Sequence, residues 1–388
     1  MMALIIGSLA CVTWVYLLAA RGGFWRATVR DGAAATIPSA GFGWPRVVAV
    51  VPARDEADVV GGSIGSLLRQ DYRGEFSVIV VDDHSIDDTV AMAQNAAVAA
   101  EASGRMIVLA APSLPDGWTG KLWALHHGVT HALSSTKPPD YVLLTDADIH
   151  HAVDTLTELV LRAARDHTVL TSLMARLRCK SAGERAMIPA FIFFFQMLYP
   201  FAWVNRQERA TAAAAGGCML VHRQSLQAAG GLAAIRGELI DDCALARLLK
   251  RRGPIWLGLT ERVQSVRAYP SVAAIRPMIV RSAYAQLGFS AWWLALTALA
   301  MAVAYLAPPV LVLSGGGAPR LLGALAWVQM AVAFQPTLQF YRVSPWWGLA
   351  LPAIAGVYLL LTLESAYRHM RGSGGEWKGR IHWRTSRR

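Results

Sequence analysis

The chain's hydrophobic positions first form a run without alternation. Arg46-Val-Val-Ala-Val-Val-Pro52 is almost wholly β-branched and stops at a proline, the pattern of a strand buried on both sheet faces. Residues 58–70 then set Val59, Val60, Ile64, Leu67 and Leu68 at helical spacing. The same two patterns alternate onward: strands over 76–81, 106–110 and 141–145, helices over 87–102 and 121–133. Such β-α-β alternation predicts an α/β fold, a doubly wound and mostly parallel sheet with ligands outside the carboxyl ends of its strands. After Asp148 the pattern loosens, with a further strand over 168–175 and a helix opening at Asp241.

Outside this region the polar positions vanish. Residues 2–20, 289–313, 321–341 and 346–363 carry no charged side chain, and each is long enough to cross most or all of a roughly 30 Å hydrocarbon layer. The expected organisation is an N-terminal anchor over 1–22, a linker over 23–45, one catalytic domain over 46–285, two or three transmembrane helices over 286–367 and a basic tail over 368–388. The first stretch also reads as a secretory signal ending at Ala19-Ala20, but no Lys or Arg precedes it, and Arg21, Arg26 and Arg30 follow. Those arginines place the domain on the cytoplasmic face of an inner membrane. Residues 186–204 are apolar too, but Pro189, Gln196 and Pro200 interrupt them. A crossing there would separate Asp148 from Asp242, so they read as an interfacial helix, with a buried core helix as the alternative. The residues 321–341, with Gln329, Gln335, Pro336 and Gln339, form the weakest span and are re-entrant if the basic tail is to stay inside.

Composition agrees with a membrane protein: 54% of the 388 residues are hydrophobic and 16% charged. The net charge of +11 gathers beside the apolar stretches, so anionic lipid headgroups are the expected partner, and no nucleic-acid recognition motif is present. Cys11, Cys179, Cys218 and Cys243 form neither a zinc pattern nor a disulfide framework.

Candidate chemistry lies at three acidic stations. Asp83 follows the second strand; as a carboxylate facing a nucleobase it would share a pocket with Pro52, Ala53, Arg54, Asp55 and Glu56, and otherwise it caps the next helix. Asp146 and Asp148 close the fourth strand; hard cations such as Mg²⁺ or Mn²⁺ take carboxylate oxygens of this kind, although short acidic turns are common in their own right. Asp241 and Asp242 open a helix: one aspartate suffices as a cap, leaving the other, Asp242, as a general base. Arg54 and Lys121 are candidates for phosphate, with Gly117 and Gly120 leaving room beside Trp118. The pairs His126-His127 and His150-His151 point in different directions and read as structural or solvent-facing. Trp292-Trp293 and Trp346-Trp347 read as interfacial belts.

Taken in order, these motifs resemble the inverting family-2 glycosyltransferases of the GT-A fold. Val50-Val-Pro-Ala-Arg-Asp-Glu56 and Val80-Val-Asp-Asp-His-Ser-Ile-Asp-Asp-Thr89 resemble the donor motifs, Thr145-Asp-Ala-Asp148 the metal motif and Asp241-Asp242 the acceptor-side Glu-Asp motif. The resemblance implies donor binding at Asp83, metal binding at Asp148 with help from Asp146, and Asp242 as base. Gly117-Trp-Thr-Gly-Lys-Leu-Trp-Ala-Leu125, Gly216-Gly-Cys-Met219, Arg281-Ser-Ala-Tyr-Ala-Gln-Leu287 and Trp377-Lys-Gly-Arg380 look more narrowly like the hopene-associated glycosyltransferases of bacterial hopanoid loci. Two departures stand out: the Glu-Asp pair is Asp-Asp, and the Gln-x-x-Arg-Trp motif of processive synthases is missing. A single transfer follows, from a UDP-sugar to a membrane lipid hydroxyl, with Arg281 on the diphosphate or acceptor side. A polyprenyl-phosphate acceptor, or a non-catalytic membrane scaffold, is the competing reading.

Overall fold

A computed structural model describes residues 1–32 and 42–374. The motif Trp377 to Arg380, the end of the basic tail and residues 33–41 of the linker lie outside the described residues. Two compact units divide the chain: a sheet unit of Val29–Leu177 and Trp203–Arg267, and a helical unit of Met1–Thr28, Arg178–Ala202 and the described residues from Ala268 on.

The sheet unit contains eight strands: β1 Val47–Ala53, β2 Phe76–Asp82, β3 Met106–Ala110, β4 Tyr141–Leu144, β5 Ile149–His151, β6 Leu170–Arg176, β7 Met219–His222 and β8 Ile255–Ser265. Their order is β3-β2-β1-β4-β7-β6-β8-β5. The four strands from β3 to β4 are mutually parallel. β7 is antiparallel to both neighbours, and β5 is antiparallel to β8. The sheet is therefore mixed, with six strands in one direction. Every residue of β1 is buried, as its β-branched run requires. The helix Gly120–Leu133 lies so close to this core that a Cβ at Gly128 would come within 2.5 Å of Val50 Cγ1 and 2.8 Å of Val81 Cγ2.

Two expected boundaries are corrected. The linker over 23–45 is not wholly irregular: Arg30 bridges to Leu259 of β8. The Asp31 carboxylate there receives the Thr260 hydroxyl and sits 3.2 Å from Arg262 Nη1, which holds the segment to the sheet. The domain drawn over 46–285 also does not stay whole, since Arg178–Ala202 and the residues from Ala268 on join the helical unit. The cause is the apolar surface of the helix Ala182–Leu198, whose Phe193 packs on Phe24 and Phe334 of that unit. The helix expected at an interface buries Met187, Ile188, Ala190, Ile192 and Phe193 within the protein.

Five helices among the described residues are long and apolar enough to cross a membrane: Met2–Ala19, Ala182–Val204, Ala291–Ser314, Gly317–Tyr341 and Trp347–Met370. Gly317–Tyr341 is continuous through Pro336 and, at about 1.5 Å per residue, has full crossing length. A π-helical turn, Ala302–Leu306, interrupts the third just before Pro308 and Pro309, whose missing N–H groups break the regular ladder. Trp14 fixes this turn, donating from Nε1 to the Ala304 carbonyl at 2.9 Å.

Candidate active site

The sheet unit gathers its acids at the carboxyl ends of β1, β2 and β4. Asp55 and His84 adopt left-handed backbone conformations there (φ 50° and 58°), which turns the two loops toward each other. The loops are stitched together: Asp55 N–H donates to Ser85 Oγ at 3.0 Å, Ile86 N–H to Asp55 Oδ1 at 2.9 Å and Glu56 N–H to Thr89 Oγ1 at 2.8 Å. Asp87, not Asp83, meets the first turn of the helix Thr89–Ala99, accepting from Thr89 N–H at 3.0 Å. Asp83 is relieved of the capping role. Its fully buried carboxylate lies 3.7 Å from Arg54 Nη1, and Arg54 also donates to the Asp83 carbonyl. Pro52 and Ala53 end β1 beside Asp82, and Asp83 N–H donates to the Ala53 carbonyl at 2.8 Å.

Lys121 connects the second station to the third. The helix that carries it begins at Gly120 behind Thr119, whose hydroxyl accepts from Leu122 N–H. Lys121 Nζ lies 2.7 Å from Asp146 Oδ1 and 3.5 Å from Asp241 Oδ2. Burial alone would lower the lysine's pKa, but Asp146 and Asp241 hold it above the ordinary value, so it stays charged. Burial pushes Asp146 up against the pull of Lys121, with Asp148 and Asp241 adding to the rise. Carboxylates some ninety residues apart in sequence thus share one cation.

Asp242 is positioned by backbone. The helix Asp241–Lys250 has Ile240 at its N-cap, which supplies no side-chain cap. Asp242 Oδ2 accepts from Gly216 N–H at 3.0 Å and Oδ1 from Cys243 N–H at 2.7 Å. Gly216 lies close to both charged groups: a Cβ there would sit 3.2 Å from Lys121 Nζ and 3.6 Å from Asp242 Oδ2. Burial and the neighbouring Asp241 charge push Asp242 up to about 6, opposed by Lys121 and the two N–H donors. That places a carboxylate basic enough to take a proton, yet mostly ionised at neutral pH.

Asp148 is tied to residues that the sequence pattern did not single out. Ser265 Oγ donates to its Oδ2 at 2.9 Å, and Arg267 Nε reaches the same oxygen at 3.1 Å. Arg267 Nη2 also donates to Glu56 Oε2 at 2.6 Å, linking the metal motif to the first donor motif. Both partners follow from β8, whose mixed polar and apolar sequence gave no clear strand signal. Arg281, by contrast, lies in the helical unit on Val272–Gln286, and its buried Nε has no hydrogen-bond partner. His151 is structural: its Nε2 is 3.0 Å from Thr145 Oγ1, and Thr145 donates onward to the Gly217 carbonyl at 2.7 Å.

Among the described residues, no group of three or more His, Cys, Asp or Glu side chains forms a metal cage. The donor set nonetheless fits a hard dication of the Mg²⁺ or Mn²⁺ kind. Asp146 and Asp148 offer two carboxylates, both now balanced by internal cations, and such ions are often held by one or two carboxylates plus substrate phosphates.

An α/β sheet with acids and paired cations at its strand ends is an arrangement able to receive a polar ligand outside the carboxyl ends of the strands. Residues 48–230 match the family model described as Glycosyl transferase family 2. Among solved structures it is similar to the mannosyltransferase PcManGT from Pyrobaculum calidifontis, in complex with GDP-Man and Mn²⁺. The TM-score is 0.54 at 19% identity, covering 92% of this chain and 98% of that one. Glucosyl-3-phosphoglycerate synthase from Mycobacterium tuberculosis, in complex with Mg²⁺ and UDP, is more distant: TM-score 0.40 and 18% identity, covering 63% of this chain and 80% of that one. No curated protein matches the chain.

Proposed function

We propose that this protein is a membrane-bound, inverting glycosyltransferase that moves one sugar from a UDP-sugar to a lipid hydroxyl. The observation that carries the reading is Lys121, whose ammonium joins Asp146 of the metal motif to Asp241 of the acceptor motif, 2.7 and 3.5 Å away. The matched family and the GDP-Man and Mn²⁺ complex of the archaeal relative support a nucleotide-sugar donor and a divalent ion. Five helices of membrane-crossing length support a lipid acceptor, and the hopene-associated resemblance makes a hopanoid alcohol the first acceptor to try.

In this mechanism the uracil ring enters between Asp83 and the loop from Pro52 to Glu56, and the diphosphate lies toward Asp146 and Asp148. A divalent ion bound by those two aspartates would supply charge neutralisation for the leaving diphosphate. Asp242 Oδ removes the acceptor proton while the acceptor oxygen attacks the anomeric carbon in line. The bond to the diphosphate breaks with its electron pair on the leaving oxygen, and the configuration inverts. Gly216 and Cys243 N–H groups hold the Asp242 carboxylate in its orientation.

Purified protein in detergent, given UDP-sugars, Mn²⁺ and a lipid extract, is expected to release UDP and form a glycolipid, and Asp148→Ala to abolish both. GDP-mannose serves as the parallel donor. Absence of metal-dependent nucleotide release with every donor would leave a scaffold. Full activity in Asp242→Asn would point to a phosphate acceptor, which needs no base.

A further inference from the structure

We propose that Arg267 is an exchanging donor-site cation: it neutralises Asp148 and Glu56 in the resting site and transfers to the donor diphosphate when a divalent ion takes its place. This rests on the reading of Asp146 and Asp148 as metal carboxylates and adds a role that none of the motifs carries.

The geometry of Asp148 motivates it. Both side-chain hydrogen bonds to this carboxylate, from Ser265 and Arg267, fall on Oδ2, whereas Oδ1 receives none. Val266 N–H fixes the Asp148 carbonyl at 2.9 Å, so the carboxylate is anchored at its backbone without Arg267. The arginine is therefore an additional partner on an oxygen that already has a neutral donor. The Arg267 side chain is 31% exposed, whereas those of Asp148 and Glu56 are 14% and 9% exposed, so it is the most open member of the cluster.

Charge makes the arrangement unsuited to the loaded site. Lys121 already balances Asp146, and Arg267 is shared by Asp148 and Glu56. A dication added to these carboxylates would face both side-chain cations at short range, where like charges repel strongly in a partly desolvated cleft. The diphosphate that accompanies it brings oxygens matched to the planar guanidinium fork. Exchange of Arg267 from carboxylate to phosphate resolves the repulsion, and Ser265 keeps Asp148 oriented while it occurs.

The role predicts opposite signs in two binding measurements on the full chain in detergent. Arg267→Gln is expected to bind free Mn²⁺ more tightly without nucleotide, on the order of tenfold, because a competing charge is gone. The same variant should bind UDP at saturating Mn²⁺ more weakly by a similar factor, having lost a charge-assisted fork. The unbound Mn²⁺ resonance reads the first and calorimetry the second. Arg267→Lys, which keeps the charge without the fork, should leave Mn²⁺ affinity near wild type and weaken UDP. If both affinities fall in Arg267→Gln, or neither changes, Arg267 is a fixed structural clamp and the proposal is overturned; if Arg267→Gln does not fold, Arg267→Lys with wild-type UDP affinity does the same. Wild-type protein that binds neither Mn²⁺ nor UDP overturns the glycosyltransferase reading itself, a different result from a failure confined to the variants.

Discussion

The two halves of the sheet obey different rules. From β3 to β4 the strands are parallel, and the Asp83 and Asp146 stations follow directly from their strand ends. From β7 to β5 the directions are mixed, and the groups that orient Asp148 and Asp242 come from distant parts of the chain, the side chains of Ser265 and Arg267 and the backbone N–H of Gly216. In the proposed mechanism the first half holds a ligand beside consecutive loops, and the second brings reacting groups to it. Changes at Asp83 should therefore alter donor affinity and changes at Asp242 turnover, while Arg267, which reaches Glu56 of the first half, acts on ligand binding.

The largest expected effect tests the second half. Asp242→Asn keeps an acceptor for Gly216 N–H but cannot take a proton, so kcat should fall by about 10²- to 10⁴-fold, with UDP affinity unchanged. Because burial and Asp241 push Asp242 up to about 6, wild-type kcat should decline as pH drops through that value, where the protonated form loses its function as base. A flat profile between pH 5 and 8 would remove Asp242 from the chemistry. Loss of UDP affinity in the same variant would erase the distinction between the halves.

Asp83→Asn probes the first half. A carboxylate that accepts from a nucleobase imide gives a charge-assisted bond worth about 1.5–3 kcal/mol. UDP affinity should drop by about 10- to 100-fold, while kcat at saturating donor stays within a few-fold. A kcat defect with normal UDP binding would show that Asp83 belongs with the reacting groups.

How much of this was legible depends on the range of the interactions. β1, β2 and β3 announce themselves in β-branched runs, and the observed Met106–Ala110 coincides with the strand expected from sequence. Helix boundaries move by a residue or two where side chains compete for caps, as with Asp87 before Thr89. β5 is only three residues long and exists by pairing with β8, while β8 itself mixes Thr260, Glu261, Arg262 and Gln264 among apolar positions. No local period marks such strands. The chemistry followed the same division: Asp83, Asp146 and Asp242 were found beside strand or helix boundaries, whereas Arg267 is meaningful only once β8 is folded. Arg281 lies in the helical unit, and a motif resemblance carried no information about which unit its helix would join.

A smaller effect tests packing without touching any charge. Gly128→Ala would force a methyl group against Val50 and Val81, both on β-branched, fully buried strand positions. Overpacking of this kind costs about 1–3 kcal/mol, expected as a lower midpoint of chemical unfolding. Catalysis per folded molecule should be nearly unchanged. A variant as stable as wild type would mean that the helix Gly120–Leu133 shifts freely on the sheet, and then Lys121 could not be held as firmly as its two ion pairs require.

The smallest effect concerns the seam between the halves, where His151 and Thr145 join β4 to Gly217. Thr145 spends its hydroxyl proton on the Gly217 carbonyl, so His151 must donate from Nε2, a neutral tautomer that burial enforces by holding its pKa down to about 3. The side-chain amide of glutamine can supply a similar donor, so His151→Gln should cost only about 1 kcal/mol at pH 7.5. The sign then depends on pH. Wild-type His151 has a folded pKa below its unfolded value, so the unfolded chain gains the proton first, and stability falls as pH drops below about 6.5 toward 3. Glutamine has no such penalty, and the stability difference should shift toward the variant by up to about 2 kcal/mol between pH 6.5 and 5, making the variant the more stable at the lower pH. Unfolding midpoints measured at both pH values test this directly: a gap that stays constant would mean that His151 titrates normally and that the seam admits solvent, leaving the metal motif and the Gly216 loop to move independently.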